Sequence, residues 1–196
     1  MKAVRSGRIF WGSMGLLALL GLNACTGATG TGATGSASTD AVGNLFNPNT
    51  LVAAHNKWRA KVGVPGQRWS DILARSSQSW ADTLKERCIM KHSHSQPYGE
   101  NIYYASPLSK ISRSGGLKTA PQRISPEKVV DAWGEEKKWY DYRSNSCHGG
   151  ECGHYTQVVW KDTREVGCGM AFCNNDAQLW VCQYKKAGNL RGQKPY

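Results

Sequence analysis

Read for its apolar positions alone, the chain changes rhythm once it has become regular. Behind "NPNT", with Asn49 and Thr50 as candidate N-caps, Leu51, His55, Trp58 and Val62 recur at helical spacing until Gly63, Pro65 and Gly66 interrupt them. "WSDILARSSQSWADTLKERC" repeats the pattern: Ser70 caps, and Ile72, Leu73, Trp80 and Leu84 fall on or near one face. A third helix starts at "SPEKVVDAWGEEKKWYDY", where Ser125 caps, Pro126 takes the first helical position and Glu127 meets the positive helix end. Beyond it the period falls to two. "HYTQVVW" (154–160), "EVGCGMAFC" (165–173) and "LWVCQY" (179–184) read as strands, and their short connections favour antiparallel neighbours. "YGENIYYAS" predicts a further strand. Helices first and strands last, both half apolar, predict an α+β layered domain with an antiparallel sheet. Between them, "PLSKISRSGGLKTAPQR" holds Lys110, Arg113, Lys118 and Arg123 and no acid. It reads as a basic loop, either simply solvated or presented to a partner.

The N-terminal residues follow neither rhythm. Lys2, Arg5 and Arg8 precede "IFWGSMGLLALLGL", an apolar run of secretory length that falls short of the roughly 20 residues a membrane span needs. It ends in "LNAC", which resembles a bacterial lipobox. Residues 1–24 are therefore expected to be a signal peptide and Cys25 the lipidated N-terminus, an ordinary secretory cleavage nearby being the other reading. Residues 25–44, rich in Gly, Ala, Thr and Ser, have too little apolar surface to repay ordering and read as a tether. Residues 45–196 are long enough to build one core.

Two counts refine the picture. Without the three basic residues of the leader, 22 Lys and Arg face 14 Asp and Glu, a net +8. That balance suits an anionic membrane surface, lipopolysaccharide or an acidic polymer, or is a solvated basic face; no nucleic-acid motif accompanies it. Besides Cys25 there are six cysteines and no CxxC pair, so disulfides are expected over metal thiolates. With "NNDA" as a turn, Cys168 lies nearly opposite Cys182, Cys147 and Cys152 close a tight loop, and Cys88 remains for Cys173; six cysteines admit 15 pairings in principle.

With "AHNKWR", "HSHSQPYGENIYY", "GHYTQVVWKDTREVGCG" and "LWVCQYKKAGNLRGQKPY" in that order, the chain from Leu45 to Tyr196 resembles the CAP superfamily. That family includes cysteine-rich secretory proteins, venom allergen antigens and plant pathogenesis-related proteins of class one. The resemblance implies a three-layer α-β-α sandwich. It also implies a cleft lined by two histidines and two glutamates, which fall here on His92, Glu100, Glu136 and His154. In some members the two histidines bind zinc or another divalent ion, so His92 and His154 are the candidate metal ligands. The chain departs from the family at Gln183-Tyr184-Lys185-Lys186, where Asn-Tyr-x-Pro is usual.

Neutral imidazole is the commonest metal ligand, and a carboxylate can orient its other nitrogen. Catalytic zinc typically has three protein ligands, so a two-histidine site would need Glu100 or Glu136 to complete it, or would bind weakly. The alternative is that the His–Glu pairs only knit the elements together. His94 is a spare ligand or an exposed residue, His148 reads as surface, and His55 lies on an apolar stripe. Ser93 adjoins His92, but neighbours on a strand point to opposite faces. Neither GxSxG nor HExxH occurs. The expectation is an exported, lipid-anchored binding or interaction protein of the cell envelope. Its cleft would be cation-capable but without an obligatory metal, and its ligand a lipid, a sterol-like molecule, an envelope glycan or a host surface. The alternative is a metal-dependent hydrolase in the same cleft, with Glu100 and Glu136 as candidate acid–base groups.

Overall fold

The computed structural model describes residues 46–93 and 97–196; the leader, Cys25, the tether, Leu45 and His94 lie outside the described residues. Helix α1 spans Pro48–Ala60 and is capped by Asn47, not by Asn49 or Thr50. The Asn47 side chain accepts from the amides of Asn49 (2.9 Å) and Thr50 (3.3 Å), and Pro48, with no N–H to lose, takes the first turn. Helix α2 (Asp71–Lys85) starts at Ser70, and α3 (Pro126–Gly134) starts at Ser125. The expected long third helix tightens after Gly134 into a 3-10 turn, Glu135–Trp139. Gly134 lies against the Trp58 indole so closely that any side chain there would overlap the ring.

The central sheet holds β1 (Arg68–Trp69), β2 (Gly99–Ala105), β7 (Glu165–Phe172) and β8 (Gln178–Lys185) in the order β1-β7-β8-β2. β7, β8 and β2 are antiparallel neighbours, with Cys168 opposite Cys182 and Glu100 opposite Gln183. β1 runs parallel to β7, so the sheet is mixed rather than wholly antiparallel. Two residues between a turn and a helix cap are too few to show an alternation. The loop 107–123 also contains structure: β3 (Leu108–Ile111) and β4 (Leu117–Ala120) form a separate hairpin. A third pair, β5 (Tyr140–Asp141) and β6 (Ser146–Cys147), follows the 3-10 turn.

The largest departure is "GHYTQVVW", which is helix α4 (Gly153–Val158) and not a strand. Partners far away in sequence satisfy both of its ends. The amides of His154 and Tyr155 donate to Glu136, and the carbonyls of Val158 and Trp160 accept from the buried Arg59 guanidinium. A helix this short would not persist alone, because its unpaired end groups outweigh the few bonds it closes.

Two cores flank the sheet and make the sandwich. On one face α2 lies over β7 and β8, enclosing Ala81, Leu84, Ile102, Leu179 and Val181. The contact depends on two glycines: a methyl at Gly167 would overlap the backbone of Ser70–Ala74, and one at Gly169 that of Ser77–Gln78. β1 covers only the start of β7, and farther along Gln78 stands in for a neighbouring strand. Its amide donates to the Met170 carbonyl (2.9 Å) and accepts from the Met170 N–H (3.0 Å). On the other face α1, α3 and α4 bury Leu51, Trp58, Val129, Trp133, Tyr155 and Val158 against Trp180 and Tyr184. Disulfides join Cys88 to Cys173, Cys147 to Cys152 and Cys168 to Cys182. The first ties the chain beyond α2 to the end of β7.

Candidate functional site

The site lies where the start of β2 meets the N-terminus of α4. Glu100, at the second position of β2, is buried to 7% side-chain exposure, whereas His92 in front of it is 56% exposed. The His92 Nδ1–H donates to Glu100 Oε1 at 2.9 Å. The same oxygen accepts from the Ser93 amide (2.9 Å), and Oε2 accepts from the Ser93 hydroxyl (2.6 Å) and from Gln183 Nε2 (3.1 Å). Residues 91–93 are irregular and not a strand. The opposite-face argument therefore does not hold for Ser93, which meets the same carboxylate as His92 and is bonded to it.

The second half is built likewise. Glu136, in the 3-10 turn, accepts the His154 Nδ1–H at 2.6 Å through one oxygen and the amides of His154 and Tyr155 through the other (3.0 and 3.2 Å). One carboxylate thus caps α4 and fixes its first imidazole; the Trp133 ring stacks on the same imidazole at 6.3 Å. A carboxylate without a proton only accepts, so Nδ1 carries the hydrogen in both rings and Nε2 is the nitrogen that remains as an acceptor.

The two halves share a cavity of about 460 Å³ lined by His92, Glu100, Asn101, Glu151, His154 and Asn189, with the Cys147–Cys152 bridge on its wall. Glu136 reaches this space only through His154. His92, His154 and Glu151 also border a smaller cavity of about 190 Å³ closed by Met90 and Ile102. A shallower depression of about 730 Å³ along the outside of α2, lined by Arg75, Ser79, Asp82 and Glu86, contains neither imidazole. Among the described residues no three His, Cys, Asp or Glu side chains converge as a ligand set. The site thus corresponds to the expected two-histidine arrangement, with Glu100 and Glu136 placed behind the imidazoles. Glu100 accepts from His92, Ser93 and Gln183 and Glu136 from His154 and Tyr155, so both act as orienting groups behind the imidazoles, and Glu151 stands on the cavity wall as a further carboxylate.

A buried polar chain supports the site from below. Asn101 Nδ2 donates to the His154 carbonyl (3.1 Å) and to the Tyr184 hydroxyl (3.2 Å). That hydroxyl lies 2.9 Å from His55 Nε2, and His55 Nδ1 lies 2.8 Å from the Leu51 carbonyl. One assignment satisfies every group: Tyr184 donates to a neutral His55, which donates to Leu51. Burial holds the His55 pKa down to about 4, against the opposing pull of the Leu51 hydrogen bond and with help from the Arg59 charge. Burial also pushes the Tyr184 phenol well above its usual range. His55 is thus a core residue bonded at both nitrogens. His148 is exposed beside Ser144 and Ser146.

Sequence reasoning missed Gln183, Asn101 and Glu151. The only signal for Gln183 was that it replaced the usual asparagine of the last motif; its amide is what closes the ring of donors around Glu100.

With this geometry in view, the comparisons are specific. The pattern of the CAP cysteine-rich secretory protein family matches residues 52–184. Pathogenesis-related protein 1A of Nicotiana tabacum is 42% identical over 144 residues, covering 73% of this chain and 77% of that protein. Schistosoma mansoni venom allergen-like protein 4 superimposes with a TM-score of 0.55 at 25% identity, covering 76% of this chain and 92% of that one. The structure of NaASP2 with Zn2+ superimposes with a TM-score of 0.56 at 23% identity over 76% of this chain and 84% of the other, a likeness of fold. The matched pattern covers more than half of the sequence and all four residues of the His/Glu cleft: the chain belongs to the CAP, or cysteine-rich secretory protein, family.

Proposed function

We propose that the chain is an exported binding protein of the cell envelope, held to a membrane through a lipid on Cys25, whose His/Glu cleft takes a divalent cation such as zinc and a polar ligand. One observation carries the cleft reading. His92 and His154 border the same cavity, and each donates Nδ1–H to its own carboxylate, which is also held by other donors. That is the arrangement that fixes an imidazole's tautomer and orientation with Nε2 as its electron-pair donor. Glu100 and Glu151 on the wall, with Glu136 behind His154, favour a cation there although the chain as a whole is strongly basic. Two imidazoles leave most of a cation's coordination positions to water or ligand, so the site is open and does not require a resident metal. The lining is polar, with Asn101, Glu151 and Asn189 beside the histidines. It therefore favours an envelope glycan or a peptide over a sterol or fatty acid in this cavity. The disulfides and the family suit an oxidising, exported setting. Hydrolysis is the weaker reading, because Glu100 and Glu136 are engaged in orienting the imidazoles, which leaves Glu151 on the cavity wall as the candidate general base.

Calorimetric zinc titration of the chain beside His92→Ala/His154→Ala tests the cleft. Binding by the parent that is lost in the double variant is the expected result. No binding, or equal binding by both, removes the cation from the reading and leaves the His–Glu pairs as structural ties.

A further inference from the structure

The β3–β4 hairpin stands apart from the cleft and from both cores. Its register places Ile111 opposite Leu117 and Lys110 opposite Lys118. Ile111 and Leu117 are 81% and 68% exposed, the two most exposed large apolar side chains among the described residues, and Leu108 below them is 49% exposed. Each of the two pairs is unfavourable in water. Directly opposed like charges destabilise a two-stranded ladder, and an apolar pair at a tip gains nothing from solvent. Arg113 adds a third cation between the strands, Arg123 a fourth at the base, and residues 107–123 contain no acid. The hairpin is nevertheless hydrogen-bonded at both ends. Its tip is closed by Ser112 N–H to the Gly116 carbonyl (2.8 Å) and by Gly116 N–H to the Ser112 hydroxyl (3.1 Å), with Gly115 at φ +83°. Its base is tied to the sheet by Thr119 Oγ1 donating to Asp176 (2.6 Å), by Gln122 donating to the Ser106 carbonyl (2.7 Å), and by Gln178 donating to the Gln122 carbonyl.

We propose that this hairpin is a docking finger for an anionic phospholipid bilayer. Ile111 and Leu117 would enter the interface while Lys110, Arg113 and Lys118 meet lipid phosphates. One environment resolves both unfavourable pairs: acyl chains receive the apolar pair, and headgroup phosphates separate and neutralise the lysines. A neutral bilayer would satisfy only the first and a soluble polyanion only the second. The docking is independent of the cleft and stands or falls without it.

Lys110, Arg113 and Lys118 are themselves trypsin sites, which gives a readout confined to the hairpin. The full chain is digested with vesicles of phosphatidylcholine alone, with vesicles containing one quarter phosphatidylglycerol, and with heparin. Each hairpin rate is taken relative to cleavage after the exposed Arg143 in the same reaction. Phosphatidylglycerol vesicles should slow hairpin cleavage by about tenfold, and neutral vesicles should not. Ile111→Ser/Leu117→Ser, which touches only exposed side chains and leaves all three sites in place, should lose that protection. Equal rates with both vesicle types overturn the proposal. So does protection that survives in the Ser/Ser variant, or heparin protecting as well as the vesicles; either result would mean that charge alone is recognised.

Discussion

Replacing His55 by glutamine removes a titrating ring from the core while keeping a side chain that donates and accepts, and the effect is a pH dependence rather than a single stability. The imidazole is fully buried, with its pKa lowered from 6.5 to about 4 chiefly by desolvation. At 1.36 kcal/mol per pH unit that gap corresponds to about 3 kcal/mol. As the pH drops below 6.5, the unfolded chain binds a proton that the folded protein refuses until the pH nears 4, so acid favours unfolding. The contribution is complete above pH 6.5 and lost progressively down to about 4. By about pH 4.5 roughly 2.5 kcal/mol of it should be gone. Half-buried Asp82 and exposed Asp141, whose pKa values are also lowered, contribute acid sensitivity of their own, but parent and variant share it. The assay is urea unfolding of both proteins, disulfides intact, at several values between about pH 8 and 4.5. Glutamine costs stability at neutral pH, because Tyr184 and Leu51 lose well-placed partners, and the two curves should converge as the pH falls. Curves that stay parallel within about 0.5 kcal/mol would refute the neutral-imidazole assignment and the polar chain built on it.

Other expectations rest on single features. Arg59→Met leaves the carbonyls of Pro65, Val158, Trp160 and Thr163 without their donor, and should destabilise by about 3–5 kcal/mol in denaturant melts. Gly169→Val should cost about 1–3 kcal/mol by driving α2 off β7, read as a fall in Tm. Removing Cys88–Cys173, whose ends are 85 residues apart, should cost about 4–5 kcal/mol in the chain-entropy treatment. Removing Cys147–Cys152, whose ends are 5 residues apart, should cost about 2 kcal/mol, and urea midpoints for the two double-serine variants give the order. Glu136→Gln should weaken the α4 cap by about 1–2 kcal/mol. It should also release the His154 tautomer, visible in the 15N shifts of that ring.

Where local rules and tertiary contacts agree, the sequence reads well. Ser70 and Ser125 start the helices they were expected to start, and the short apolar runs at 165–173 and 179–184 give β7 and β8, with the turn between them placing Cys168 opposite Cys182. The reading failed where distant partners outweigh local preference. Tyr155, Thr156, Val158 and Val159 have strand propensity, yet Glu136 and Arg59, neither of them near in sequence, supply the helix ends that propensity alone would not form. The hairpin at 108–120 was missed for a different reason. Its apolar residues point to solvent, so no buried alternation marks it.

The same contrast explains the cleft. Its four expected residues could be placed by motif, but their roles depend on geometry that no motif carries. Glu100 collects donors from the segment at 92–93 and from the neighbouring strand, and Glu136 collects two backbone amides besides its imidazole. A carboxylate spent in this way is a poor ligand and a poor base. What it does is hold an imidazole in one orientation with Nε2 as the acceptor. On this arrangement of the two imidazoles the proposed binding role rests. The contacts that hold the two histidines, from Glu100 and Gln183 on one side and from Glu136, Trp133 and Asn101 on the other, mean that the proposed binding would not also have to order its own ligands.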